Sequence, residues 1–298
     1  LPKEALPFYF FMKQNNLSGQ NNHFWGLAFV ISAVALVLFA YLAYIGLDFL
    51  LEGNYLLAIA ISAVSTIVAI YCLITMCASK ASRNKREGLP REIVSLAVCL
   101  LIMALGSIPF MKFLYIYEHR AVLKESVANI VTSACELDSA YIAYTDQRLA
   151  DFNKFAKSRY GSPKLVHQSL ERRLVPENIE KISKERKEWL ETFPTPSLKN
   201  PMTPTNIHAL LSSAEKWMNE YHERSALIYH GEKTGDGEPY QGFVHEKTAS
   251  EIENWRQQFC EINAPDSRAI LTSTFVFILI FLSYFHTRRS KNRYEGTH

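Results

Sequence analysis

The chain has 298 residues, of which 48% are hydrophobic and 20% charged, with a formal net charge of +3. That balance excludes a disordered polyelectrolyte and a strongly basic nucleic-acid binder. The apolar residues gather in four blocks with the charges between them, the pattern of a multi-pass membrane protein and not of one globular core.

Residues 1–23 read as a cytoplasmic arm, polar except for the cluster Phe8 to Met12, which suits a membrane interface between Lys3 and Lys13. The apolar run after it is far longer than a signal-peptide core and lacks a small-residue cleavage pattern. Residues 24–78 are predicted to form a transmembrane hairpin of two spans, Phe24 to Leu47 and Tyr55 to Ala78, joined by a turn from Asp48 to Asn54. Ala28, Ser32 and Ala35 on the first span, and Ala58, Ser62, Ser65 and Ala69 on the second, form small-residue faces. Such faces let helix backbones approach closely where lipid removes the hydrophobic drive between helices.

The loop 79–91 carries Lys80, Arg83, Lys85, Arg86 and Arg91 against Glu87, and the tail 287–298 carries Arg288, Arg289, Lys291 and Arg293. The positive-inside rule places both in the cytoplasm, with the acidic turn after the first span and residues 118–266 on the other side. The third span, 92–117, contains Pro109, which removes a backbone hydrogen bond and is expected to kink the helix, as a hinge or as a fixed packing angle. Lys112 is expected to snorkel its stem toward the headgroups.

No Gly or Pro separates this span from the charged segment beyond it, so one uninterrupted helix is expected from Ile93 to Tyr160. Leu123, Val127, Ile130, Ala134, Leu137, Tyr141 and Tyr144 follow heptad spacing; the seam is expected to break at Arg148 and resume through Leu149, Phe152 and Phe155. Next come an amphipathic stretch from Lys164 to Leu174 and a helix begun by Pro176, with Ile179, Ile182, Trp189 and Phe193 on one stripe. A proline connector, 194–204, leads to a helix capped by Thr205 or Asn206 and reaching about Tyr229, with Ile207, Leu210, Ala214, Trp217, Tyr221 and Ile228 in register. After the connector 231–242, a last helix runs from Glu246 to Ile262 with Ile252, Trp255, Phe259 and Ile262 apolar, and Pro265 and Asp266 open a fourth span, 267–286. The expected fold is all-α: four transmembrane helices, with a large extracytoplasmic antiparallel helical bundle between the third and fourth.

Chemistry is sparse. No ionisable residue lies in the middle of a span, which argues against a charged transport pathway; hydroxyls such as Ser32, Ser62, Ser65 and Thr66 leave a hydroxyl-lined pore open. His208, Glu215 and His222 recur every seven residues, about 10 Å apart along a helix, too far to grip one ion. No catalytic constellation, cofactor motif or metal site is expected. Cys72, Cys77 and Cys99 read as packing residues within spans; Cys135 and Cys260 are either a disulfide or two buried thiols. Tyr141, Tyr144, Trp189, Trp217, Tyr221 and Trp255 fall on apolar stripes, as core residues or as walls of a pocket.

The expectation is a non-enzymatic multi-pass protein of a plasma membrane, with both termini cytoplasmic. A bacterial inner membrane fits an outer segment without a glycosylation sequon. The outer bundle would sense or bind a protein partner, making the chain a receptor-like or scaffold subunit. The layout resembles receptor input domains inserted between two spans, an architectural likeness only. A homo-oligomeric pore or transport subunit is the alternative. Its partners are then the lipid bilayer, a second protein or further copies, and no nucleic acid.

Overall fold

The computed structural model describes residues 22–81, 85–159, 163–192, 204–226, 241–264 and 266–287, whose regular structure is entirely helical. Among the described residues ten helices follow one another: α1 Asn22–Leu50, α2 Tyr55–Ala81, α3 Lys85–Glu118, α4 Arg120–Arg159, α5 Pro163–Leu174, α6 Ile179–Thr192, α7 Pro204–Ser225, α8 Glu246–Phe259, α9 Ser267–Ile280 and α10 Leu282–His286. The chain divides into two compact units, one of residues 1–115 with 262–298 and one of residues 116–261. Residues 193–203, which hold Phe193 and all of the proline connector but Pro204, the glycine-rich stretch 227–240, the arm before Asn22 and the basic tail after Thr287 lie outside the described residues.

Among the described residues of the first unit, three helices are long and apolar enough to cross a membrane: Gly26–Leu50, Tyr55–Ala81 and Gly88–Glu118. Twenty-five residues already rise about 37 Å, more than the roughly 30 Å of a hydrocarbon core. Their outward faces remain apolar, with Val30, Val34 and Val37 exposed on α1 and Val64, Ile67 and Tyr71 on α2. Their inward faces meet in a cluster built on Phe39, Met76, Met103 and Phe110, with the Phe39 ring 5.1 Å from Phe110 and 5.6 Å from Phe277.

Several boundaries differ from the sequence expectation. Asp48 belongs to the last turn of α1, and the reversal is confined to Leu51–Asn54, with Glu52 and Gly53 at φ 50° and 84°. The loop expected at 79–91 is largely helical, since α2 runs to Ala81 and α3 starts at Lys85. Lys112 does not reach outward: it is buried, and its ammonium donates to Asn263 Oδ1 at 2.5 Å, tying the segment before α9 to α3. The helix expected to be unbroken from Ile93 stops at Glu118 and restarts at Arg120. There the Arg120 guanidinium turns back on Tyr117, taking its carbonyl at 3.4 Å and lying 4.8 Å from its ring, in competition with the helical ladder. The last apolar stretch is two helices of 14 and 5 residues, broken at Phe281.

In the second unit α4 is the hub, packing against each of α5, α6, α7 and α8. Leu123, Val127, Ile130, Leu137 and Tyr141 are fully buried along its seam, each apolar side chain contributing roughly 2 kcal/mol. The expected break at Arg148 is absent. Buried positions continue through Thr145, Arg148 and Phe152 in unbroken 4-3-4 spacing, while Leu149 lies at the edge. Pro176 precedes α6 by a turn instead of opening it, and α8 ends at Phe259. Ile262, expected on the α8 stripe, is therefore beyond the helix and 74% exposed.

Candidate functional site

The bundle unit holds a connected polar core that starts from one acid on the central helix. Asp138 accepts from Arg186 Nη1 at 2.9 Å and from the Tyr221 hydroxyl at 2.6 Å, all on one carboxylate oxygen. Arg186 spends its other terminal nitrogen on Glu220 Oε2 at 2.9 Å, and its planar group lies 4.9 Å from the Trp217 ring and 5.0 Å from Tyr221. An arginine between two carboxylates and two aromatic faces has little freedom left. The Tyr221 ring stacks on Tyr141 at 3.9 Å, with an 8° interplanar angle, and the Tyr141 hydroxyl donates to the Leu174 carbonyl at 2.7 Å. Burial pushes the Tyr141 phenol up to about 12, and burial with the Asp138 hydrogen bond raises Tyr221 further, so both act as neutral donors.

One helical turn from Tyr144, Arg148 extends this network toward the end of α7. Its guanidinium donates to the Ser225 carbonyl and to the Tyr144 hydroxyl, the latter at 3.3 Å. Ser225 accepts from the Phe243 amide at 2.6 Å while donating to the Tyr221 carbonyl at 2.6 Å, which fastens the strand-like entry to α8 onto α7. Gly242 is required there: a Cβ at that position would lie 2.5 Å from the His222 ring.

Beside this core lies an open cleft of about 480 Å³. Arg186 and Tyr221 form its floor, and the exposed Arg173, Glu220, Glu223 and Arg224 its rim, with Pro176 and Ile182 supplying apolar surface. Elsewhere in the unit, His208 is buried 5.4 Å from the Trp255 ring, and burial, then the Arg256 charge, pushes its imidazole down to about 4. Burial also lowers His245, partly offset by Glu136. Cys135 is exposed and Cys260 half-buried, and both are free thiols. Desolvation raises the Cys135 thiol against the opposing charge of Lys187, which does not make a nucleophilic thiolate.

The span unit has a different polar feature. Ser32 Oγ donates to the Leu279 carbonyl at 3.1 Å and accepts from the Ser283 amide at 2.9 Å. In a continuous helix that amide would bond that carbonyl directly, so the hydroxyl is inserted into the i→i−4 ladder where α9 gives way to α10. Below the break, the Tyr284 carbonyl accepts from Lys80 at 2.7 Å, and its hydroxyl donates to Glu92 Oε1 at 2.7 Å. Ala28, Ala35, Ala58 and Ala69 are buried, whereas Ser62 and Ser65, with Thr66, line a cavity of about 220 Å³ between α1, α2 and α3 whose remaining walls are apolar. Pro109 is buried inside an unbroken α3; its carbonyl faces Gly46, where a Cβ would collide with it. Asp48 is fully buried, and neither carboxylate oxygen has a hydrogen-bond partner among the described residues.

The sequence pattern puts Tyr141, Trp217 and Tyr221 on apolar stripes, but it makes Arg148 a break in the seam and gives Asp138 and Arg186 no role. The 186 position does share a stripe with Ile179 and Ile182, and a charged residue at a stripe position was the available signal. Among the described residues, no three His, Cys, Asp or Glu groups converge as metal ligands. The chain matches no protein-family model, no curated protein and no solved structure.

Proposed function

We propose that the chain is a non-enzymatic multi-pass protein of a plasma membrane, a receptor-like or scaffold subunit whose bundle unit faces outward and binds a partner. In this reading α9 and α10 form a broken fourth span, which returns the carboxyl terminus to the cytoplasmic side with the amino terminus. The observation that carries the topology is the Ser32 bridge. A helix break at membrane depth is tolerated where a neighbouring side chain satisfies the freed backbone groups, and Ser32 does this for Leu279 and Ser283. Together α9 and α10 rise about 28 Å, close to the hydrocarbon thickness. The basic residues before α3 and after α10 support the orientation.

The partner-binding role is supported by the bundle's ordered ionic core and open cleft, which exceed what a spacer needs. A mild-detergent pull-down with mass determination tests it: a stoichiometric partner is expected, and a clean homo-oligomer would overturn the role. Reporters fused to each terminus are expected to read cytoplasmic, and an external carboxyl terminus would leave only three crossings. The second reading, a homo-oligomeric pore, is favoured by the hydroxyls of Ser62, Ser65 and Thr66 in the cavity. Thr66 Oγ1 already donates to the Ser62 carbonyl at 2.6 Å, which leaves fewer groups for water. Ion flux in liposomes would establish the pore.

A further inference from the structure

Two arginines at the rim of the bundle cleft are unlike the third. Arg186 is committed to Asp138 and Glu220, so it contributes a fixed floor and little else. Arg173 and Arg224 stand in the last turns of α5 and α7 and line the same cleft. Among the described residues neither reaches a carboxylate at ion-pair distance; Arg224 spends one N–H on the Arg173 carbonyl at 3.4 Å, and the Arg173 guanidinium has no partner. Neither guanidinium is paired with Glu220 or Glu223, the acids that line the same cleft, so each keeps most of its five donors for another molecule.

We propose that this cleft binds a small organic carboxylate, with its anionic end between Arg173 and Arg224 and its apolar body against Pro176, Ile182 and the Tyr221 edge. The volume of about 480 Å³ falls within the roughly 300–1,000 Å³ of small-molecule sites. A carboxylate fits the guanidinium fork with two parallel hydrogen bonds. Glu220 and Glu223 on the same walls repel a dianionic phosphate more than a monoanionic carboxylate, and inorganic phosphate has no apolar body to place on Pro176 and Ile182. The inference deepens the sensing role proposed for the bundle unit and rests on it for its biological use.

The test is calorimetric titration of the full chain in detergent with benzoate, butyrate and inorganic phosphate. Saturable carboxylate binding is expected, tighter for benzoate than for phosphate and weakened roughly tenfold or more in Arg173→Gln and in Arg224→Gln. Lys181→Gln, on the adjacent surface, is expected to leave it unchanged. Arg224→Gln also removes a bond to the end of α5, but the Arg173 side chain holds nothing within the protein, so its variant reports binding alone. Absence of saturable carboxylate binding, binding unaffected by Arg173→Gln, or phosphate binding as tight as benzoate would each overturn the proposal. Carboxylate binding without any co-purifying partner keeps the cleft assignment and removes the receptor reading; a stoichiometric partner without carboxylate binding does the reverse.

Discussion

Both units bury polar groups among helices, but they differ in where the buried charges sit. In the span unit hydroxyls such as Ser32, Thr66 and Thr287 bond backbone carbonyls, for Ser32 that of a helix about 250 residues away, while the charged groups Asp48, Lys80, Glu92 and Lys112 lie toward helix ends. The bundle unit also ties interior hydroxyls to backbone carbonyls, at Ser133, Thr145 and Ser225, but it adds charged groups in mid-bundle, Asp138, Arg148 and Arg186, on or beside the α4 seam. The difference follows from what surrounds each set of helices. Small groups that need one partner suit helices whose outer surface is apolar, because an unmet charge there has no water to turn to. A bundle with a polar surface can bring several helices' side chains to one charge and satisfy it completely.

Five perturbations probe this contrast, the largest expected effect first. Arg148→Met leaves the Ser225 carbonyl and the Tyr144 hydroxyl without their donor in the core and is expected to destabilise the bundle unit by about 3 kcal/mol or more, read from denaturant unfolding of tryptophan fluorescence. A stabilised variant would show that the arginine is a cost the fold carries for some other reason. Next is pH. His208 sits at about 4 in the folded protein against 6.5 unfolded, so the unfolded chain takes the proton first, and stability is full above about pH 6.5 and declines toward pH 4. The loss approaches about 3 kcal/mol, with His245 adding in the same direction, and His208→Phe is expected to flatten the profile.

Gly46→Ala drives a methyl group into the Pro109 carbonyl, and about 1–3 kcal/mol is expected to be lost as α1 and α3 are forced apart. Retained thermal stability in detergent would mean that the close approach is dispensable. Ser32→Ala is expected to cost about 1 kcal/mol and to let the Ser283 amide bond Leu279 directly, merging α9 with α10. Amide exchange at Ser283 reads this; an unchanged break would move its cause to Phe281. The smallest effect belongs to Cys135→Ser and Cys260→Ser, each expected within about 0.5 kcal/mol of the parent chain and with no change in non-reducing mobility, because no disulfide joins them.

Helix positions and types were legible in the residue pattern because 3.6-residue periodicity and apolar run length are local properties, complete within one window of sequence. The stripes Leu123 to Tyr141 on α4, Ile207 to Tyr221 on α7 and Ile252 to Phe259 on α8 turn inward as their spacing predicts, with Trp217 half-buried and the rest buried. Where a charge interrupted the pattern the reading failed: Arg148 looked like a break in the seam and is part of it, because Ser225 and Tyr144 supply acceptors that hydropathy does not register. Ile262 failed in the other direction, apolar and in register but past the end of its helix.

The sequence by itself determined that this chain is helical, where its four apolar runs lie, and which faces of most helices turn inward. Only the tertiary structure decided the fate of the last apolar stretch, the burial of Arg148, the commitment of Arg186 and the cleft beside it. The physical reason is sequence separation: Ser32 finds its partners 247 and 251 residues away, Arg148 finds Ser225 at 77, and Arg186 finds Asp138 at 48. Polar satisfaction is settled between elements, and no local pattern contains both halves of such a bond.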